Sequence, residues 1–237
     1  MLDRIGFDRF IKIGWLNKTA EIFEQEKKPQ NIREALDHYL KDEVGGDNRR
    51  KTINILMRTW INVGPEHVNT RDKALELFKS ADENEKIGVH WIMFMLAYPV
   101  FDNFTAAIGK LFELQDEFVL GTVKRRMYEL WGERTTLQYA VEKMARSLAN
   151  WEVVESSGKP GNYKRKQPIE IKNMDIKLLL VEAYLLASGK LYIQFMKINR
   201  LNEFFPFIMD IDLADFQTSE IFKLDKMGGE PVIGLRD

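Results

Sequence analysis

Apolar residues recur three and four apart through most of the first hundred positions, the spacing that lines up one face of an α-helix. The stretches FDRFIKIGWLNKTAEIFEQ, NIREALDHYLKDEV, RRKTINILMRTWINV, TRDKALELFKSA and EKIGVHWIMFMLAY each carry it. Between them stand Pro29, the pair Gly45 and Gly46, Gly64 with Pro65, and Pro99, which stop helices and form turns. This punctuation predicts an N-terminal helical bundle over residues 1–100.

The pattern then changes. In DNFTAAIGKLFELQ, Phe104, Ile108, Leu111 and Phe112 make one face, and in DEFVLGTVKRRMYELWG the inward positions are Leu120, Val123, Met127, Leu130 and Trp131. Gly132 ends that helix. The next opens with Thr135 and Gln138 three apart, the spacing of a capping box in which the hydroxyl takes an orphan backbone N–H and the amide reaches back. Its buried stripe is Leu137, Val141, Met144, Leu148 and Trp151, leaving Gln138, Tyr139, Glu142, Lys143, Arg146 and Asn150 outside. WEVVES and PIEIK alternate like paired strands, with SGKPGNYKRKQ as a projecting loop between them.

Helix, helix, short glycine-containing turn, helix and hairpin is the order of a winged helix-turn-helix, assigned to residues 101–173. Helical spacing returns over 174–237, where FKLDKMGGEPVIGL reads as a closing hairpin turning at Gly228 and Gly229. The predicted fold class is therefore mainly α, a helical bundle with a central winged helix-turn-helix, small β-hairpins and a C-terminal helical cap.

Charge singles out the middle of the chain. Overall, 35 basic residues face 36 acidic ones, so global charge gives no polyanion signal. From Gly121 to Lys166, however, ten basic residues face five acidic ones. A recognition helix offers donors to base edges, while a basic loop neutralises phosphates and releases counterions. The candidate nucleic-acid contacts are Arg134, Thr135, Gln138, Tyr139, Lys143 and Arg146 on the helix and Lys159, Lys164, Arg165 and Lys166 on the loop. Tyr163 is placed there to stack or to probe the minor groove. Arg49, Arg50, Lys51 and Arg125 are further candidate phosphate contacts; the first three sit at a helix start, where cations oppose the dipole. A solvated helix end explains them equally.

Other chemistry is thinly represented. The absence of cysteine excludes disulfides, thiol nucleophiles and thiolate metal sites, and the three histidines, His38, His67 and His90, lack metal spacing. Within its apolar helix His90 reads as a satisfied core histidine. Asp210, Asp212 and Asp215 offer a weak set for a hard cation, and such spacing also caps helices. No phosphate loop or GxSxG serine is present, so the expectation is a non-enzyme without cofactor or metal. The longest apolar runs are broken by Pro99 and Glu182, short of the roughly 20 residues a bilayer span needs, and a cytoplasmic protein is expected.

The stretches DNRRKTINILMRTW, EKIGVHWIMFMLAYPVFDNF and VKRRMYELWGERTTLQYAVEKMARSLANWEVVE give the chain a resemblance to the BrxA family of bacterial BREX phage-defence islands. The resemblance spans roughly the middle half of the chain. It implies a non-enzymatic DNA-binding accessory protein that works beside a methyltransferase and other defence proteins. It transfers no site residue. The alternative is a protein-interaction scaffold whose winged helix contacts partners, because such a fold does not fix function; a metal nuclease resting on the aspartates is third. Oligomeric state stays open.

Overall fold

A computed structural model describes residues 5–236 of the chain. Six helices occupy the first half: α1 (Ile13–Gln25), α2 (Pro29–Leu40), α3 (Gly46–Trp60), α4 (Val68–Ser80), α5 (Glu83–Ala97) and α6 (Pro99–Phe112). Proline opens α2 and α6, where its fixed φ suits the first turn and its missing N–H is no loss. The start of α5 is a complete capping box. Asp82 Oδ1 accepts from the N–H groups of Asn84 and Glu85 at 2.9 Å, and Glu85 Oε2 accepts from the Asp82 N–H at 3.1 Å.

Helix α5 is apolar on nearly every side, and it packs against α3, α4 and α6. Its aromatic residues knit the interior: Phe94 lies 4.9 Å from Phe7 and 5.2 Å from both Phe101 and Trp151. Such ring pairs contribute about 0.5–1.5 kcal/mol each beyond their buried area. His90 is fully buried here and satisfied at both nitrogens. The Trp60 indole, which can only donate, reaches Nδ1 at 3.2 Å, so the ring proton sits on Nε2, 2.8 Å from Asn17 Oδ1. Burial holds the imidazole neutral, with its pKa lowered to about 3.

After α6 come β1 (Glu117–Val119), α7 (Leu120–Trp131), α8 (Thr135–Asn150), β2 (Val154–Ser156) and β3 (Asn162–Arg165). The three strands form an antiparallel sheet in the order β1-β3-β2, with Phe118 opposite Tyr163 and Glu155 opposite Lys164. Three sequence expectations change here. The second strand of the hairpin is NYKR rather than PIEIK, because Tyr163 has an apolar partner in Phe118, their rings stacked at 5.4 Å. Helix α8 is capped by Arg134 without a side-chain bond, so Thr135 is already helical and the Thr135–Gln138 capping box does not form. Leu130 is 61 % exposed. The buried stripe of α7 runs through Leu120, Val123, Met127 and Trp131 and leaves Leu130 to one side.

The last third holds β4 (Ile169–Glu170), α9 (Met174–Ser188), β5 (Ile193–Gln194), α10 (Phe195–Ile198), β6 (Phe207–Ile208), α11 (Leu213–Thr218), β7 (Phe222–Met227) and β8 (Glu230–Leu235). Strand β4, cut from the predicted hairpin, pairs in parallel with β6. Strands β7 and β8 are joined by Gly228 and Gly229 at φ 60° and 90°, the left-handed pair that a two-residue hairpin turn demands. Helix α9 packs on α5, and Glu85 Oε1 takes the Asn173 N–H at 2.9 Å ahead of it. Buried side chains from the first, middle and last thirds join in a single cluster.

The fold is thus mainly helical, with 11 α-helices among the described residues. No described helix is long and apolar enough to cross a membrane. The three aspartates are engaged locally: Asp210 pairs with Lys177, and Asp215 Oδ2 accepts the Asp212 N–H at 2.8 Å at the start of α11. Among the described residues no group of His, Asp or Glu is arranged to hold a metal ion.

Candidate nucleic-acid interface

Helix α8 has two edges with different jobs. Its inner stripe, Leu137, Val141, Met144 and Leu148, is fully buried. One flank is clasped by the extended segment before α1: Ser147 Oγ accepts the Ile11 N–H at 2.9 Å, Asn150 Oδ1 accepts the Ile13 N–H at 3.0 Å, and the Trp151 indole donates to Ile11 O at 2.8 Å. These bonds use polar groups of α8 to satisfy backbone that would otherwise be buried without partners. The outer edge stays open. Thr135, Gln138, Tyr139 and Arg146 are exposed, and Lys143 is half-buried.

Arg146 is held without being neutralised. Its guanidinium lies 5.3 Å over the Phe10 ring, a contact that orders the side chain and leaves all its N–H donors pointing elsewhere. Sequence reasoning missed Phe10 and Ser147, since nothing local in the chain signals a contact between residues more than a hundred positions apart. Glu142 lies on the same face, and its carboxyl is held below the usual range chiefly by the hydrogen bond from Lys124 at 2.6 Å.

The hairpin places the predicted loop residues differently from one another. Lys159 is at the exposed tip between β2 and β3. Tyr163 is only 8 % exposed and packs inward, so it does not stack on a base; burial raises its phenol pKa, an effect that nearby Arg146 partly offsets. Lys164 lies 3.4 Å from Glu117 across the sheet and Lys166 lies 3.3 Å from Glu152. Arg165 donates to Phe112 O at 3.2 Å. Arg134, at the head of α8, donates to Trp131 O at 2.9 Å. Arg125 is exposed on α7. Of the central cations, Arg125, Lys143, Arg146 and Lys159 have no carboxylate partner among the described residues.

The cations at the start of α3 are answered from within. Arg49 meets Asp37 at 2.7 Å, while Arg50 and Lys51 share Asp47 at 2.6 Å each. Asp47 stands in the first turn, where a carboxylate favours the helix dipole, and the hydrogen bond from Lys51, then that from Arg50, holds its pKa down at about 2. The structure does not bring these three together with the outer edge of α8.

No protein-family model, curated protein or solved structure matches the chain. What the site can do therefore rests on its geometry. An exposed helix edge carrying Arg, Gln, Tyr and Thr donors beside a hairpin with a cationic tip can meet a polyanion at two points, one suited to base edges and one to phosphates.

Proposed function

We propose that the protein binds duplex DNA non-catalytically, with α8 as the recognition helix and the β2–β3 hairpin as the wing. The observation that carries this is the segment α6-β1-α7-α8-β2-β3 with sheet order β1-β3-β2, which has the helix and strand sequence of a winged helix and leaves the outer edge of α8 uncovered. Arg146 and Gln138 are the residues placed to read bases; Lys143, Arg125 and Lys159 are placed to contact phosphate. A cytoplasmic accessory role in BREX phage defence rests on the family resemblance alone and forms part of the same proposal.

An anisotropy titration of a labelled duplex with the wild-type protein and Arg146→Ala tests this reading. Binding by the parent with an affinity loss of about ten-fold in the variant is expected, since one good base or phosphate contact contributes about 1–3 kcal/mol. Equal affinities would remove α8 from the interface. A second reading, docking on a partner protein through the same region, is favoured by the exposure of Leu114 and Leu130 at 79 % and 61 %. It predicts that Leu130→Glu abolishes partner capture while duplex titrations stay flat.

A further inference from the structure

A cleft of about 610 Å³ opens where the segment before α1 meets α2, α3 and the head of α8. Its lining carries five cations, Arg33, Arg50, Lys51, Arg58 and Arg134, against one carboxylate, Asp8, which Arg9 already holds at 3.3 Å. Arg50 and Lys51 are compensated by Asp47. The other three are not.

Each of those three guanidinium groups is fixed by a neutral partner. Arg33 Nη1 donates to Asn54 Oδ1 at 2.9 Å. Arg58 lies 4.6 Å over the Tyr98 ring and against Gly6, whose φ of +69° and missing side chain leave it room; a Cβ there would stand 2.8 Å from Arg58 Nη1. Arg134 donates through Nη2 to Trp131 O, while its Nε is buried with no hydrogen-bond partner. Neutral partners position a guanidinium without removing its charge, so the fold gathers like charges around one concave space. An anion relieves that repulsion. The fork of a guanidinium matches phosphate oxygens two at a time.

Shape and lining narrow the ligand. A duplex carries its phosphates on a convex rod, whereas small-molecule sites are concave and span roughly 300–1,000 Å³. Ile5, Ile55 and Tyr98 add an apolar wall that a sugar or base can cover. We propose that this cleft binds a phosphate-bearing small molecule of nucleotide size, its terminal phosphates held by Arg33, Arg58 and Arg134. Arg134 precedes α8, but Arg146 and Lys159 are not part of the cleft, so this site stands apart from the duplex-binding reading.

Isothermal titration of the full chain with inorganic pyrophosphate, ATP and adenosine tests the proposal. Saturable one-to-one binding of pyrophosphate and ATP is expected, with none for adenosine. Arg33→Gln and Arg58→Gln should each weaken it about ten-fold or more, the weight of a charge-assisted hydrogen bond, and Lys226→Gln on the terminal hairpin should leave it unchanged. Thermal melting checks each variant; if Arg58→Gln melts early because Tyr98 and Gly6 lose their neighbour, Arg33→Gln on the half-exposed side of α2 decides. Three results would overturn the proposal: no saturable binding of either phosphate ligand, binding that Arg33→Gln leaves intact, or competition only by a 5′-phosphorylated single strand. None of them would bear on duplex binding by Arg146.

Discussion

The start of α3 and the outer edge of α8 look alike as strings of cations, yet folding treats them in opposite ways. Arg49, Arg50 and Lys51 each find a carboxylate within 2.7 Å, on their own helix or the preceding one. Along α8 and its neighbours, Arg146 finds only an aromatic face, and Lys143, Arg125 and Lys159 find no carboxylate among the described residues. The lesson is that a polyanion responds to charge left over after internal pairing. A count along the chain overstates one region and misplaces the other.

The largest expected effect separates the two regions directly. Arg146→Glu should weaken duplex binding about 100-fold, because it removes an attraction and places a like charge opposite phosphate, a juxtaposition costing several kcal/mol. Arg49→Glu should change affinity little, as Asp37 now compensates its charge. Equal losses in an anisotropy titration would erase the distinction.

Ser147→Ala sharpens the contrast within α8 itself. It leaves the Ile11 N–H without its acceptor and should cost about 1–3 kcal/mol of stability by denaturant unfolding, whereas Gln138→Ala on the open edge should leave stability within about 0.5 kcal/mol. Comparable stability losses would mean that the outer edge is packed rather than open.

Lys159→Ala should have a smaller effect, lowering affinity a few-fold for every duplex sequence and reducing the salt dependence by about 0.9 in log–log slope. A sequence-dependent loss would make the hairpin tip a base reader instead.

The smallest effect belongs to Asp47. Its folded pKa of about 2 lies below the ordinary 3.8, so its contribution to stability is present above that ordinary value and is lost as pH falls towards 2. Melting followed over this acid range should show a slightly shallower decline for Asp47→Asn than for the parent. The difference should be small because the carboxylate is exposed and screened by solvent. An identical acid profile would mean that Arg50 and Lys51 gain nothing from it.

Much of the helical frame was legible in the sequence. Pro29 and Pro99 mark real helix starts, Gly228 and Gly229 form the terminal turn, and the stripe of Leu137, Val141, Met144 and Leu148 is fully buried. Strand β3 was not legible, because NYKR spends three of its four positions on polar residues and only Tyr163 reports the sheet. A strand that short offers too little alternation to register. The fate of Ile169, paired with Phe207 rather than within a hairpin, depends on a contact far along the chain. Arg33 was invisible as a binding residue for the same reason: its cleft exists only where four distant segments meet.

The central claim is that α8 and the hairpin offer uncompensated charge to duplex DNA, and the salt dependence of binding measures that charge. Titrations at several salt concentrations should be run on the parent and on a variant with Arg125, Lys143, Arg146 and Lys159 all replaced by Gln. The account predicts a log-linear fall in affinity for the parent and a slope shallower by about 3.5 in the variant, at roughly 0.9 per lost phosphate contact. An unchanged slope, or a parent protein that does not bind duplex DNA at low salt, would contradict it.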